Sequence, residues 1–249
     1  MRLLTLPILS FLGLLTLAGC QHKDPDPCAA QTPTSAAFTM QEQLGILGKF
    51  RRFQVDSAIA SGIVPVVFTA LDSTAEVYEW RIGTESQPRL GRSIVLGFQN
   101  PYDAVDIRLT VKKQPNPHCF PDDDGVDAQQ QKLVIIPREE SPIIGVYEGY
   151  NLSAPGNRFR ITIESGGILN LPRGCRYDLR NDFLLGARSV YVFSSVFSQE
   201  YGAGAINGWG ALASDNRNTI RFEYDYNDAT KPLVSSPRLH DTFVGTRVR

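Results

Sequence analysis

Apolar and polar residues alternate with a period of two along most of this chain. The clearest run is Val105, Ile107, Leu109 and Val111, interleaved with Asp106, Arg108, Thr110 and Lys112. Such alternation predicts an antiparallel strand with one face on a core and the other in water. Phe159, Ile161 and Ile163 alternate with Arg158, Arg160, Thr162 and Glu164 in the same way. So do Ile220, Phe222, Tyr224 and Tyr226 with Arg221, Glu223 and Asp225. Further strands are predicted from Phe38 and Met40 and over 64–70, 77–82, 94–98, 132–136, 189–197 and 240–248. Pro65 falls near the start of its strand, where a missing N–H does least harm. Residues 41–52, with Leu44, Ile46 and Leu47, read either as a short helical turn or as an irregular edge. Turn residues separate the runs at Pro155-Gly156-Asn157, Gly166-Gly167, Asp215-Asn216 and Asn227-Asp228. The chain shows no long amphipathic helix and no internal repeat, so the expected class is all-β.

The predicted strands fall into two groups. Pro137-Arg138-Glu139-Glu140-Ser141-Pro142 is a polar break between two prolines. It predicts one domain over 36–137, a linker over 138–142 and a second domain over 143–249. Residues 20–35 are rich in Pro, Asp, Ser and Thr without apolar periodicity, and they read as a tether.

The N-terminus changes the picture. Arg2 precedes an uncharged apolar run that ends at Leu17-Ala18-Gly19-Cys20, and the chain then turns polar. A cationic start, a short apolar run and small residues before a break predict a signal peptide over 1–19. The run is interrupted by Pro7 and falls short of the ~20 residues that span a bilayer. Leu-Ala-Gly-Cys resembles the lipobox of bacterial lipoproteins. That resemblance implies lipidation of Cys20 and a partner in the membrane, reached through the lipid. Gln21 is not the Asp of an inner-membrane retention signal, and Lys23-Asp24 with Asp26 looks like the tether of surface-exposed lipoproteins. The implied location is the cell envelope, at the outer membrane and its outer face.

Composition narrows the partners. Of 249 residues, 42% are hydrophobic, so the chain can bury cores. Basic residues number 25 and acidic ones 26, which gives no electrostatic case for nucleic acid. Besides Cys20 there are Cys28, Cys119 and Cys175. Cys28 and Cys119 flank the first predicted domain and are the expected disulfide, with three free thiols as the other reading.

Two family resemblances bear on fold. Tyr78-Glu79-Trp80-Arg81-Ile82-Gly83 stands where PKD (polycystic kidney disease) domains have Tyr-x-Trp-x-Phe-Gly. Residues 103–111 stand where they have Gly-x-Tyr-x-Val-x-Leu-x-Val, with Asp103 and Val105 as departures. Thr84 replaces the Asp that follows the family's Gly. The resemblance implies an immunoglobulin-like β-sandwich used as a spacer or for protein and glycan contacts. Trp80 would be its core anchor, and Gly83 would permit the turn after its strand. More faintly, Gly145-Val146-Tyr147-Glu148-Gly149 and Phe243-Val244-Gly245-Thr246-Arg247 resemble the first and last strands of lipocalin-like barrels. Tyr147 stands where that family has Trp. The second domain is therefore expected to be an antiparallel meander or small barrel.

No reaction is nominated. Asp122-Asp123-Asp124-Gly125 with Asp127 lacks EF-hand spacing and reads as a solvated acidic loop, so no metal is expected. His22, His118 and His240 are scattered, and there is no His-Glu-x-x-His or Gly-x-Ser-x-Gly. Gly202-Ala203-Gly204 lacks the strand-to-helix context of a phosphate loop. Glu148 and Asp225 would serve glycoside cleavage only if they lay about 5–9.5 Å apart. Tyr147, Tyr150, Trp209, Tyr224 and Tyr226 are candidate ligand contacts at a barrel mouth, against the plainer reading that they fill strand faces. The expectation is a non-enzymatic envelope protein for adhesion, scaffolding, or glycan or protein binding, without a cofactor. The alternative is a small-molecule carrier using the second domain, and the third is a secreted hydrolase.

Overall fold

The computed structural model describes residues 26–46, 49–170, 183–193, 206–214, 218–227 and 238–248. The predicted signal peptide, Cys20, His22 and Cys175 lie outside them. Contacts divide the chain into a unit of residues 1–32 and a unit of residues 33–249. In the first, Asp26 caps a turn by accepting the Cys28 N–H on its carboxylate, and Cys28 is a disulfide cysteine. Cys119, in the second, is a disulfide cysteine as well.

Residues 33–249 are all β; the single helical element among the described residues is a 3-10 turn, Arg138–Glu140. Strands β1 (Phe38–Ile46), β2 (Lys49–Gln54), β4 (Val66–Ala70) and β7 (Ser93–Leu96) form one sheet in the order β2-β1-β4-β7. Strands β3 (Ser57–Ile59), β5 (Val77–Ile82), β6 (Arg89–Leu90), β8 (Ala104–Lys112) and β9 (Val126–Ile136) form a second, in the order β3-β9-β8-β5-β6. The inward faces of the two sheets share one core, making a β-sandwich. Trp80 of β5 is fully buried in it. Its ring meets Phe38 edge-on at 5.2 Å and Phe68 at 6.1 Å, and its indole N–H donates to the Gly91 carbonyl at 2.7 Å. Gly83 follows β5 at φ +53°, a backbone region where a side chain is strained.

Three sequence expectations change here. The described residues of 41–52 hold no helical turn: they belong to the β1–β2 hairpin, whose β2 is an edge strand, almost wholly exposed and so without alternation. The strand expected at 132–136 starts six residues earlier at Val126, because residues 126–130 are exposed on both faces and look like loop. Ser57–Ile59, which the alternation does not predict as a strand, forms β3 and pairs in parallel with β9.

The second sheet system is an eight-stranded, antiparallel, barrel-like sheet in the order β12-β11-β10-β17-β16-β15-β14-β13. Its strands are β10 (Gly145–Asn151), β11 (Arg158–Glu164), β12 (Gly167–Leu169), β13 (Phe183–Leu185), β14 (Ser189–Phe193), β15 (Ile206–Leu212), β16 (Thr219–Asn227) and β17 (Arg238–Arg247). Its inner face is packed with Ile161, Ile163, Val190, Ile220, Phe222 and Phe243. The segments 145–149 and 243–247 lie side by side, with Tyr147 opposite Arg247 and Gly149 opposite Gly245. A Cβ on Gly149 would come within 2.0 Å of the Val244 carbonyl oxygen, so this crossing needs glycine.

Glu42 of β1 joins the sandwich to this sheet. Its side chain is buried, and its carboxylate accepts the N–H of Ala187 (2.6 Å), the N–H of Arg188 (2.9 Å) and the hydroxyl of Ser189 (2.6 Å). A small apolar cluster of Leu44, Val64 and Tyr191 lies beside it. Trp209 stacks on Tyr191 at 4.7 Å and takes the Arg51 guanidinium over its ring at 4.6 Å, while Arg51 also pairs with Glu223 at 2.7 Å.

Burial pushes the Glu42 carboxyl up to about 7, against the pull of its three donors. The folded protein therefore holds this proton more tightly than the unfolded chain. That contribution is fully present below the usual glutamate range and is lost as pH rises through about 7. At ~1.4 kcal/mol per pH unit it is worth about 3 kcal/mol. Denaturant melts of wild type should weaken from pH 4.5 to pH 7.5, and Glu42→Gln should flatten that slope. In the sandwich, Trp80→Ala should cost about 3–5 kcal/mol in the same melts.

Candidate functional site

The two ends of the eight-stranded sheet are built differently. At one, β11–β12, β13–β14 and β15–β16 are joined through residues 165–166, 186–188 and 213–218. At the other, β10 passes to β11 through 152–157, and the chain leaves β14 and β16 to return at β15 and β17 through 194–205 and 228–237. The longer segment 170–182 also starts from a strand, β12, that runs toward this second end, and it rejoins the sheet there at β13.

Strand register assembles one inward row at this second end. Asp241 of β17 lies opposite Tyr224, Tyr224 opposite Gly208, Gly208 opposite Val192 and Val192 opposite Phe183. Gly208 makes room for the row, since a Cβ there would come within 2.6 Å of the Tyr224 Cβ. Asp241 is 5% exposed. Its carboxylate accepts the Ser153 hydroxyl, the Ser153 N–H at 3.3 Å and the Thr242 N–H at 2.8 Å. Ser153 belongs to the 152–157 connection, so Asp241 ties that loop to the barrel wall.

Beside this carboxylate the Tyr224 hydroxyl and Asn151 Oδ1 are sealed from solvent, with the two side chains against each other. Tyr224 is 2% exposed. Burial, and then the negative charge of Asp241, push its hydroxyl well above the ordinary tyrosine range, so it stays a neutral donor. Phe222 stacks on Tyr224 at 5.4 Å, and Tyr226 lies 5.6 Å away on the outer side of the row. Asn151 and Tyr226 are half-buried, and the cluster deepens from them to Tyr224 and Asp241.

The aromatic residues expected together at a mouth are separated by strand parity. Tyr147 is fully buried at the opposite end, where its hydroxyl donates to the Ile143 carbonyl and the Arg247 guanidinium lies over its ring at 5.3 Å. Arg247 also donates to the Tyr147 hydroxyl and to the Pro142 carbonyl, plugging that end. Tyr150 and Trp209 point to the outer face, and Trp209 is part of the joint with the sandwich. Tyr224 and Tyr226 alone of the five share the inward cluster. Asn151, Ser153 and Asp241 were not singled out from sequence. The available signal was an aspartate at an inward position, between Leu239 and Phe243 in the alternation of β17.

The other candidates find structural roles. Glu148 is ion-paired with Arg160 at 2.8 Å and Arg158 at 3.6 Å, and these guanidiniums hold its carboxyl below the usual range. Asp225 pairs with His240 at 2.9 Å. Glu148 lies opposite Thr246, and Asp225 opposite His240 on the same strand. At ~3.3 Å per residue those levels are about 20 Å apart, well beyond a glycosidase pair. The acidic loop lines an open cleft of about 450 Å³. Asp123 accepts the Thr34 N–H and hydroxyl and the Gly125 N–H, Asp124 accepts the Val126 N–H, and Asp127 accepts the Ala36 N–H. Among the described residues no group of His, Cys, Asp and Glu is placed to hold a metal. Among them, too, no helix is long and apolar enough to cross a membrane. Gly202-Ala203-Gly204 lies outside the described residues.

No protein-family model, curated protein or solved structure matches the chain.

Asp241→Ala would leave the Ser153 and Thr242 donors without their acceptor. It should cost about 1–3 kcal/mol in chemical denaturation. Amide hydrogen exchange should also rise at 152–154, where the loop loses its tie.

Proposed function

We propose that this is a lipid-anchored envelope protein, bound to the outer membrane through Cys20, that binds glycan or protein without catalysis. In this reading the PKD-like sandwich is a spacer, and the lipocalin-like eight-stranded sheet is the binding head. The observation that carries it is the asymmetry of that sheet: the sandwich is fastened to it through Glu42 and its neighbours, while the long connections gather at its other end. A rigid joint on one side and long connections on the other suit a head held out from a surface.

The carrier reading draws less support. The inner face is filled by side chains such as Phe222, Phe243 and Ile161, and a carrier needs that volume for its cargo. The hydrolase reading loses its carboxylate pair to the separation of Glu148 and Asp225.

Two measurements test the proposal. Mass spectrometry of the mature protein should find an acylated Cys20, and Cys20→Ala should release the protein from the membrane fraction. The full chain should be retained by immobilised envelope polysaccharide or by an envelope protein fraction. Retention by neither, or an unmodified mature N-terminus elsewhere, overturns the reading.

A further inference from the structure

We propose that residues 126–132 of β9 are a self-association edge, on which a second copy of this chain lays the same strand antiparallel about a twofold axis. The edge belongs to the sandwich, so this inference is independent of what the eight-stranded sheet binds. β8 pairs with β9 from Val126 to Val134, whereas β3 covers its other side only over 134–136. Among the described residues no strand lies on that side of 126–132. The Val134 N–H points to this side and donates to the Asp56 carbonyl. Backbone groups alternate in direction along a strand, so Val126, Ala128, Gln130 and Lys132 point theirs the same way.

These groups are self-complementary. The N–H groups of Val126 and Ala128 donate to the Asp124 and Asp127 side chains at 2.9 and 2.7 Å, so this half of the edge offers its carbonyls. Among the described residues nothing caps Gln130 or Lys132, which offer N–H groups as well. An axis through Gln129 sets Gln130 against Ala128 of the second copy and Lys132 against its Val126. Open donors then meet open carbonyls, twice over, and such an isologous contact closes at two copies. Charge agrees. The edge starts acidic, at Asp122, Asp123, Asp124 and Asp127, and ends at Lys132. Antiparallel pairing brings Lys132 of one copy diagonal to Asp124 of the other, on the same face, and sets Asp127 opposite Gln131 with no like charges opposed.

The other edges are guarded. β2 carries Lys49, Arg51 and Arg52, which two copies would set against one another, and β3, β6, β7, β12 and β13 are two to four residues long. Residues 126–132 contain no proline, and all but half-buried Gln131 are exposed. Asp127 and Gln131 tie the start of β1 to side chains of β9 and not to its backbone edge, by accepting the Ala36 N–H and donating to the Phe38 carbonyl. One short strand per copy makes a contact at the small end of specific interfaces, below ~1,200 Å² in all, so the dimer forms with rising concentration.

Sedimentation velocity tests this on the full chain carrying Cys20→Ala, so that no lipid gathers copies into micelles. A monomer at low micromolar concentration should give way to a dimer at high micromolar concentration. That dimer should run as a monomer on a non-reducing denaturing gel, which separates it from a disulfide link. Gln130→Pro removes an outward N–H without breaking a β8–β9 hydrogen bond, and should weaken self-association tenfold or more. Gln129 meets its own copy at the axis in a non-hydrogen-bonded pair, where side chains come closest. Gln129→Lys and Gln129→Glu should each weaken the dimer tenfold or more, and their equimolar mixture should dimerise like wild type. Gln129 is exposed, so both variants should melt like wild type. The proposal is overturned by a monomer at every concentration, by a dimer that survives the gel, or by one that Gln130→Pro leaves intact. It is overturned too if the Gln129 variants self-associate like wild type, or if mixing does not restore the dimer. A monomer whose retention by the envelope protein fraction falls in Gln130→Pro also overturns it, and gives the edge to a different protein.

Discussion

The carboxylate of Glu42 is the interaction on which the arrangement of residues 33–249 depends. It comes from the middle of β1 and takes its donors from 187–189, almost 150 positions later in the chain. Burying a carboxylate is costly, and the cost is met only when its oxygens are filled with donors. Here two backbone N–H groups and one hydroxyl fill them. The backbone must come very close to do so. A Cβ on Gly186 would lie 2.3 Å from a Glu42 oxygen, so a side chain there would push the carboxylate off its donors. Arg188 adds a second hold on the same turn by donating its guanidinium N–H to the Ala213 carbonyl. The apolar patch of Leu44, Val64 and Tyr191 would be a weak contact alone; with Glu42 at its edge it has one allowed register.

This joint also explains why Trp209 resisted a reading from sequence. An aromatic between two glycines on a β-strand looks like a ligand contact. Its ring is instead held between Tyr191 and Arg51, and Arg51 is held in turn by Glu223. Those partners lie on three separate strands, and no local pattern announces that they meet. Strands with one wet and one dry face were the readable part: β8, β11 and β16 were placed within a residue or two by alternation alone. Strands without that contrast were hidden. β2 is exposed along nearly its whole length, and the first half of β9 is wet on both sides. The candidate site was hidden for a different reason. Tyr224 was visible as an aromatic, but its meaning depends on Asp241 across the ladder and Asn151 one strand further, and register is not written in composition.

In the acidic loop the local pattern names the carboxylates but not the groups they hold. Asp122-Asp123-Asp124-Gly125 lacks the spacing of a calcium loop, and the Asp123 and Asp124 carboxylates accept protein donors. Asp123 and Asp127 grip Thr34 and Ala36, the residues that lead into β1. The backbone N–H of Thr34, and then that of Gly125, hold the Asp123 carboxyl below its ordinary range, so the grip is charged at neutral pH. A pull on the chain at Thr34 would pass through these residues. Two carboxylates at the start of β1 spread that pull onto the loop preceding β9 and onto β9 itself, where a bare strand end would peel.

The load path and the candidate site then sit at opposite extremes of one connected structure. A pull arriving at Thr34 passes into β1, along β1 to Glu42, and from Glu42 into the turn between β13 and β14. The barrel-like sheet receives it at its short-connection end, where Arg247 and Tyr147 close the interior. The polar cluster at the far end is reached only through the hydrogen-bonded ladder of the sheet. Sheets are stiff along their strands, so the geometry around Tyr224 and Asp241 is insulated from that joint. The same separation means that titration of Glu42 loosens the joint between sandwich and sheet without disturbing the row formed by Asp241, Tyr224 and Gly208.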